Sequence, residues 1–186
     1  IKTPGVVSEL YNGIGSTVMF DISVATSSSG TASLITDGSV SCPDPDFSAN
    51  IFQIGPTGII DQALGSTVTL SGIDNIGFWA RATRSSDSEL FTSVKLLLSD
   101  STAGFTTFGT ISFAIRADGK WRYHIASIQG FVPGASAWAT VYGRIRFRED
   151  DGVVTTGRVL MAGADRAQIG AIRANPRGKA AMFVRF

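Results

Sequence analysis

The chain has one cysteine, one histidine and no extended apolar run, and each scarcity removes a class of protein. Cys42 alone forms neither an internal disulfide nor a cysteine metal cluster. His124 alone falls short of the three protein ligands, most often histidines, that a catalytic zinc takes. Stretches of low charge such as Val18–Ile35, around Asp21, are rich in Gly, Ser and Thr, so a membrane is not an expected partner. A Gly-x-Ser-x-Gly nucleophile elbow is missing, and so is a Gly-x-x-x-x-Gly-Lys-Ser/Thr phosphate loop. Only 17% of residues are charged and the net charge is +1, which gives no reason to expect a nucleic-acid partner. The balance is uneven: residues 1–115 carry 4 basic and 10 acidic side chains, whereas residues 116–186 carry 12 and 5.

What remains is a turn-rich globular composition, with 44% hydrophobic residues and 21 glycines in 186 residues. Ile1 is not an initiator, so the chain reads as a processed product or an excised piece. Helical periodicity is nearly absent, and short apolar runs bounded by Gly, Asp, Ser and Asn predict an all-β sandwich or barrel. Strands are expected over Thr17–Val24, Thr67–Leu70, Ile76–Ala82, Val94–Leu98, Ala139–Arg148, Val153–Leu160 and Ala180–Arg185. The clearest hairpin signal is Asp118-Gly119, which would join Thr110–Arg116 to Lys120–Ile128. On that second strand Trp121, Tyr123 and Ile125 share one face and are expected in the core; Arg122, His124 and Ala126 share the other. Gly38–Gly65, with Pro43, Pro45 and Pro56, reads as irregular, and Ala162–Ala171 as a connection, either a helical turn or a glycine-broken strand.

From Ile76 onward the order of features resembles β-jelly-roll modules that accompany polysaccharide-active enzymes and phage tail proteins. The pieces that carry the resemblance are Ile76-Gly-Phe-Trp-Ala, Val94-Lys-Leu-Leu-Leu-Ser-Asp, Gly119-Lys-Trp-Arg-Tyr-His-Ile and Ser136-Ala-Trp-Ala-Thr-Val-Tyr-Gly-Arg-Ile-Arg-Phe. It implies a jelly-roll-like β-sandwich of antiparallel strands over residues 1–174, with 175–186 a final strand or a linker. Asn175–Phe186 resembles the lead-in to polysaccharide deacetylase domains, so a catalytic domain would follow Phe186; no deacetylase residue is carried over. The implied role is a non-catalytic carbohydrate-binding or spacer module, extracellular or on a virion, with a polysaccharide or cell-surface glycan as partner.

Several residues are candidates for such a site. Trp79 neighbours Phe78 on a strand, so one of the two must point away from the core of a two-layer sandwich. Trp138 follows the loop Val132–Ala137 and is either a plug or a platform at the loop edge. An exposed indole stacks on a sugar face while its N–H donates a hydrogen bond. Tyr142, Arg144, Arg146 and Arg148 lie on one face if their strand is regular, and guanidinium forks suit a carboxylate- or sulfate-bearing glycan. The alternative for this stripe is pairing with acids of a neighbouring strand or of a second subunit, which would make the chain a virion or tail structural module forming homo-oligomer contacts. Asp44, Asp46, Ser48 and Asn50 alternate like the oxygen ligands of a calcium loop, which marks Asp44 and Asp46 as candidates for a structural Ca²⁺; an Asx-turn loop is the alternative. The acids beside Gly38, Gly119 and Gly152 read as turn residues, and no constellation for catalysis emerges.

Overall fold

The computed structural model describes residues 17–20, 26–35, 42–44, 51–70, 73–84, 91–105, 108–128, 132–133, 141–149, 158–159, 161 and 163–176. The regular elements among them are strands: β1 (Thr17–Phe20), β2 (Thr26–Ser29), β3 (Ala32–Ile35), β4 (Ile51–Ile54), β5 (Ile59–Thr69), β6 (Ile73–Thr83), β7 (Phe91–Ser99), β8 (Phe108–Arg116), β9 (Arg122–Ser127), β10 (Val132–Pro133), β11 (Val141–Glu149), β12 (Arg158–Val159), β13 (Arg166–Ile169) and β14 (Ile172–Pro176). They build two sheets, antiparallel except where β12 meets β7, and the fold is the jelly-roll-like β-sandwich that the sequence predicts.

In the first sheet β6 is the spine. On one side it pairs with β9, and on the other its first half pairs with β14 and its second half with β13. Beyond β13 lie β4 and β3, and beyond β14 lies β1. The second sheet runs β10-β8-β7-β11-β5-β2. Period-two alternation sends Ile76, Phe78, Ala80 and Ala82 of β6 inward against Val94, Leu96 and Leu98 of β7, with Phe113 and Phe147 closing the layer. Phe78 meets the rings of Phe113 and Phe147 edge-on, at 4.8 and 5.2 Å between centroids. Burying each such side chain contributes about 1.5–3 kcal/mol.

Four local expectations change. Asp118-Gly119 is a turn, with Gly119 at φ 74°, but β8 belongs to the second sheet and β9 to the first. The Gly119 N–H bonds Ala82 O at 2.9 Å, so the turn docks on β6 and carries the chain between layers. Nine register pairs with β7 hold β8, and six with β6 hold β9, so each strand finds its ladder with another partner.

The faces of β9 are also reversed. His124 stands opposite Phe78 and Ala126 opposite Ile76, so they face the core, while Tyr123 stands opposite Trp79 on the outside. Alternation fixes which residues share a face but not which face is buried. Within Gly38–Gly65 the chain forms β4 and most of the eleven-residue β5, because Pro56 sits in the turn between them and interrupts neither ladder. Ala162–Ala171 resolves toward the broken strand: β13 and β14 both run along β6, interrupted at Gly170.

Candidate functional site

The outer face of the first sheet gathers a group of aromatic and planar polar side chains. Residues 79 and 81 of β6 point outward because 78, 80 and 82 point in. At the level of Arg81 the register places Gln168 of β13, Gln53 of β4 and Ser33 of β3 in one row, and Trp121 continues it past the start of β9. The side chains are joined along that row. The Arg81 guanidinium lies over the Trp121 ring, 5.1 Å from its centroid, and its Nε donates to Gln168 Oε1. Gln168 Nε2 in turn donates to Gln53 Oε1 at 2.9 Å. Five strand positions at about 4.8 Å spacing give a row about 19 Å long, perpendicular to the strands.

Two residues further along β6, Trp79 and Tyr123 form an edge-to-face pair with centroids 5.4 Å apart. Tyr123 lies across Gly77: a Cβ at Gly77 would come within 2.4 Å of the tyrosine hydroxyl and 2.6–2.7 Å of its ring. The absence of a side chain at 77 therefore lets the phenol lie down on the sheet. Trp79, Trp121 and Tyr123 are all half-buried.

One flank of this aromatic area is raised by Cys42–Asp44. Both Asp44 oxygens accept hydrogen bonds from the buried Arg173, Oδ2 from Nε at 3.0 Å and Oδ1 from Nη2 at 2.8 Å. Cys42 Sγ sits 2.9 Å from where a Cβ of Gly170 would be, beside Trp79. Burial pushes the Cys42 thiol up to about 12, so it stays protonated and unreactive. Asp44 is thus the anchor of a strap, its carboxylate committed to Arg173. Asp46 lies outside the described residues, and no cluster of three metal-ligating acids, histidines or cysteines occurs among the described ones.

Of the arginine stripe, Arg146 and Arg148 lie on the outer face of the second sheet, and Arg146 is answered from within the molecule. Its Nη2 donates to Asp61 Oδ2 at 2.7 Å, from the neighbouring β5, and its guanidinium packs 4.2 Å from the centroid of the Phe105 ring. Arg148 stands opposite Ile59 of β5 and Lys95 of β7. Against β5 the register shifts between Tyr142 and Arg144, where two steps along β11 match five along β5, from Val68 to Ala63. The side chains of Tyr142 and Arg144, and all of Trp138, lie outside the described residues.

His124, expected as a half-exposed strand residue, is stacked on Phe78 with centroids 5.7 Å apart and faces Phe113 at 6.3 Å. Its Nε2 is buried without a hydrogen-bond partner. Burial, and secondarily the Arg122 charge, hold the imidazole down to about 4. Half-buried as expected, it packs its ring against the core. Trp121 and Tyr123, assigned to the core by sequence, belong to the outer face; the signal that could have placed them is Gly77, the bare position beside an aromatic strand.

No family model and no curated protein sequence matches the chain. Among solved structures the chain is similar to a family 11 carbohydrate-binding module of a cellulosomal cellulase from Clostridium thermocellum, with TM-score 0.54, 11% identity, and 88% of this chain and 96% of that chain covered. It is also similar to an agarase, with TM-score 0.53 and 11% identity, where 88% of this chain matches 25% of that one. A third similar structure is the adhesin domain of Lys-gingipain from Porphyromonas gingivalis, with TM-score 0.50, 11% identity, and 91% and 96% covered. At such identity the likeness is one of fold: this β-sandwich is shared with carbohydrate-binding modules and with a domain-sized part of a polysaccharide-active enzyme.

Proposed function

We propose that the chain is a non-catalytic carbohydrate-binding module that lays a short stretch of polysaccharide across the outer face of its first sheet. The observation that carries this reading is the row of Trp121, Arg81, Gln168 and Gln53, with Trp79 and Tyr123 beside it. Half-exposed rings offer apolar faces to the C–H side of a sugar, and amides and guanidinium offer donors and acceptors to its hydroxyls. The side chains hold one another in place, so little rotamer freedom is lost on binding. The strap Cys42–Asp44 bounds the aromatic end and confines the glycan to the row. Solved structures of the same fold that carry the name of carbohydrate-binding modules support the reading.

An acidic glycan is not required. The case for one rested on uncompensated arginines, and Arg146 is compensated by Asp61. The wider setting proposed is an extracellular one, with the module serving as accessory or spacer to a polysaccharide-active enzyme or a phage tail protein. Affinity electrophoresis against a panel of soluble neutral and acidic polysaccharides tests the function. Retention by at least one polysaccharide, lost in Trp79→Ala and kept in Arg146→Gln, is the expected result; retention unchanged by Trp79→Ala overturns the placement.

A further inference from the structure

The turn that carries the chain from β4 to β5, Gly55–Gly58, closes a second concavity at a corner of the sandwich. Thr57, Gly58, Ile59, Arg148 and Glu149 line a cleft of about 270 Å³. Successive residues of an extended strand point to opposite sides, so Arg148 and Glu149 reach one cleft only because Glu149 is the last residue of β11.

The walls are braced. Thr57 is the one non-glycine described residue in the left-handed region, at φ 60°, a conformation that strains a β-branched side chain. It is held there from three directions. The Thr57 N–H donates to Glu149 Oε2 at 3.1 Å, and the other oxygen of Glu149 accepts the Met161 N–H. Thr31 Oγ1 donates to Pro56 O at 2.7 Å, and the Gly55 N–H donates to Thr31 O at 2.8 Å. Beneath, Gly30 leaves room for the Thr57 carbonyl, which would stand 2.2 Å from a Cβ there.

The lining chemistry selects against net charge. An anion drawn to Arg148 meets the Glu149 carboxylate, and a cation drawn to Glu149 meets Arg148 with Lys95 beside it in register. Two adjacent hydroxyls satisfy both walls, one donating to a carboxylate lone pair and the next accepting from the guanidinium. Ile59 supplies an apolar surface for the C–H face, and the Thr57–Gly58 turn forms the rim, with the Thr57 hydroxyl turned toward Gly30. A volume just below the roughly 300–1,000 Å³ of drug-sized sites suits one ring rather than a chain.

We propose that this corner cleft is a second carbohydrate subsite, which takes a single uncharged sugar unit through a vicinal diol. It rests on the corner's own geometry and stands whether or not the outer face of the first sheet binds glycan.

The test is a ¹H–¹⁵N NMR titration of the whole chain with methyl glucoside and methyl galactoside, alongside glucuronate. Saturable shifts of the Thr57, Gly58 and Ile59 amides are expected for at least one neutral glycoside, with a dissociation constant on the order of 1–10 mM. The affinity should be unchanged between about 50 and about 500 mM salt, since no net charge is recognised. Arg148→Met should weaken it at least tenfold, while Trp79→Ala should leave the shifts of these three amides and their affinity unchanged. Glucuronate binding more tightly, with loss in high salt, would make this an anion site and overturn the proposal. Shifts confined to Trp79 and its neighbours would also overturn it while sustaining the reading of the outer face.

Discussion

Replacing His124 by Phe removes a group whose protonation the folded core resists, and the effect on stability can be worked out from its surroundings. The imidazole stacks on Phe78, faces Phe113, and has a buried Nε2 with no partner to accept from or donate to. Its folded pKa is about 4 against 6.5 in an unfolded chain. Between those values the unfolded chain takes up a proton that the folded chain does not, so stability falls as pH drops through 6.5 and the loss is complete below about 4. At about 1.4 kcal/mol per pH unit the full loss is about 3 kcal/mol, most of it already felt at pH 4.5. Urea unfolding of the parent chain and His124→Phe at pH 7.5 and 4.5 measures it. Carboxylates such as Asp118, which Arg122 holds well below the usual range, contribute the same acid loss to both proteins and cancel in the difference. The parent should lose about 2–3 kcal/mol more than the variant on acidification. Equal losses, within about 0.5 kcal/mol, would place His124 in solvent and refute its assignment to the core.

Asp44→Ala should destabilise the fold by about 3–5 kcal/mol in urea unfolding, because it leaves the Arg173 guanidinium buried without its carboxylate. Gly77→Ala should cost about 1–3 kcal/mol and shift the near-ultraviolet circular dichroism, since the added methyl lifts the Tyr123 ring off the sheet. Cys42 should resist a thiol-exchange reagent at pH 8 in the native protein and react once urea unfolds it, being 1% exposed and held protonated by burial.

The sheet architecture was readable because alternation and turn residues are local properties. Ile76–Ala82, Val94–Leu98 and the glycine break at 170 are visible as patterns, and each became a ladder or an interruption of one. Partner choice was not readable. Asp118-Gly119 looks the same whether it closes a hairpin or carries the chain between sheets, and only the competing ladders on β6 and β7 decide it. That choice also sets the faces of β9, so an error about pairing became an error about Trp121 and Tyr123. For Trp79 the sequence posed the right question, since Phe78 and Trp79 cannot both be inside, and the alignment of Phe78 with Ile76, Ala80 and Ala82 answers it. The arginine stripe shows the opposite limit. Its composition is legible, but Asp61 and Phe105, which neutralise and cover Arg146, come from residues 85 and 41 positions away.

The most direct test of the central claim is isothermal titration of the chain, and of its Trp79→Ala and Trp121→Ala variants, with an oligosaccharide of whichever polysaccharide retains the parent. Both indoles belong to one outer face, so each substitution should weaken binding at least tenfold, about 1.4 kcal/mol, while changing unfolding free energy by under about 1 kcal/mol. Undiminished affinity in both variants, or a loss of several kcal/mol of stability in place of affinity, would return the tryptophans to a packing role and contradict glycan binding on this face.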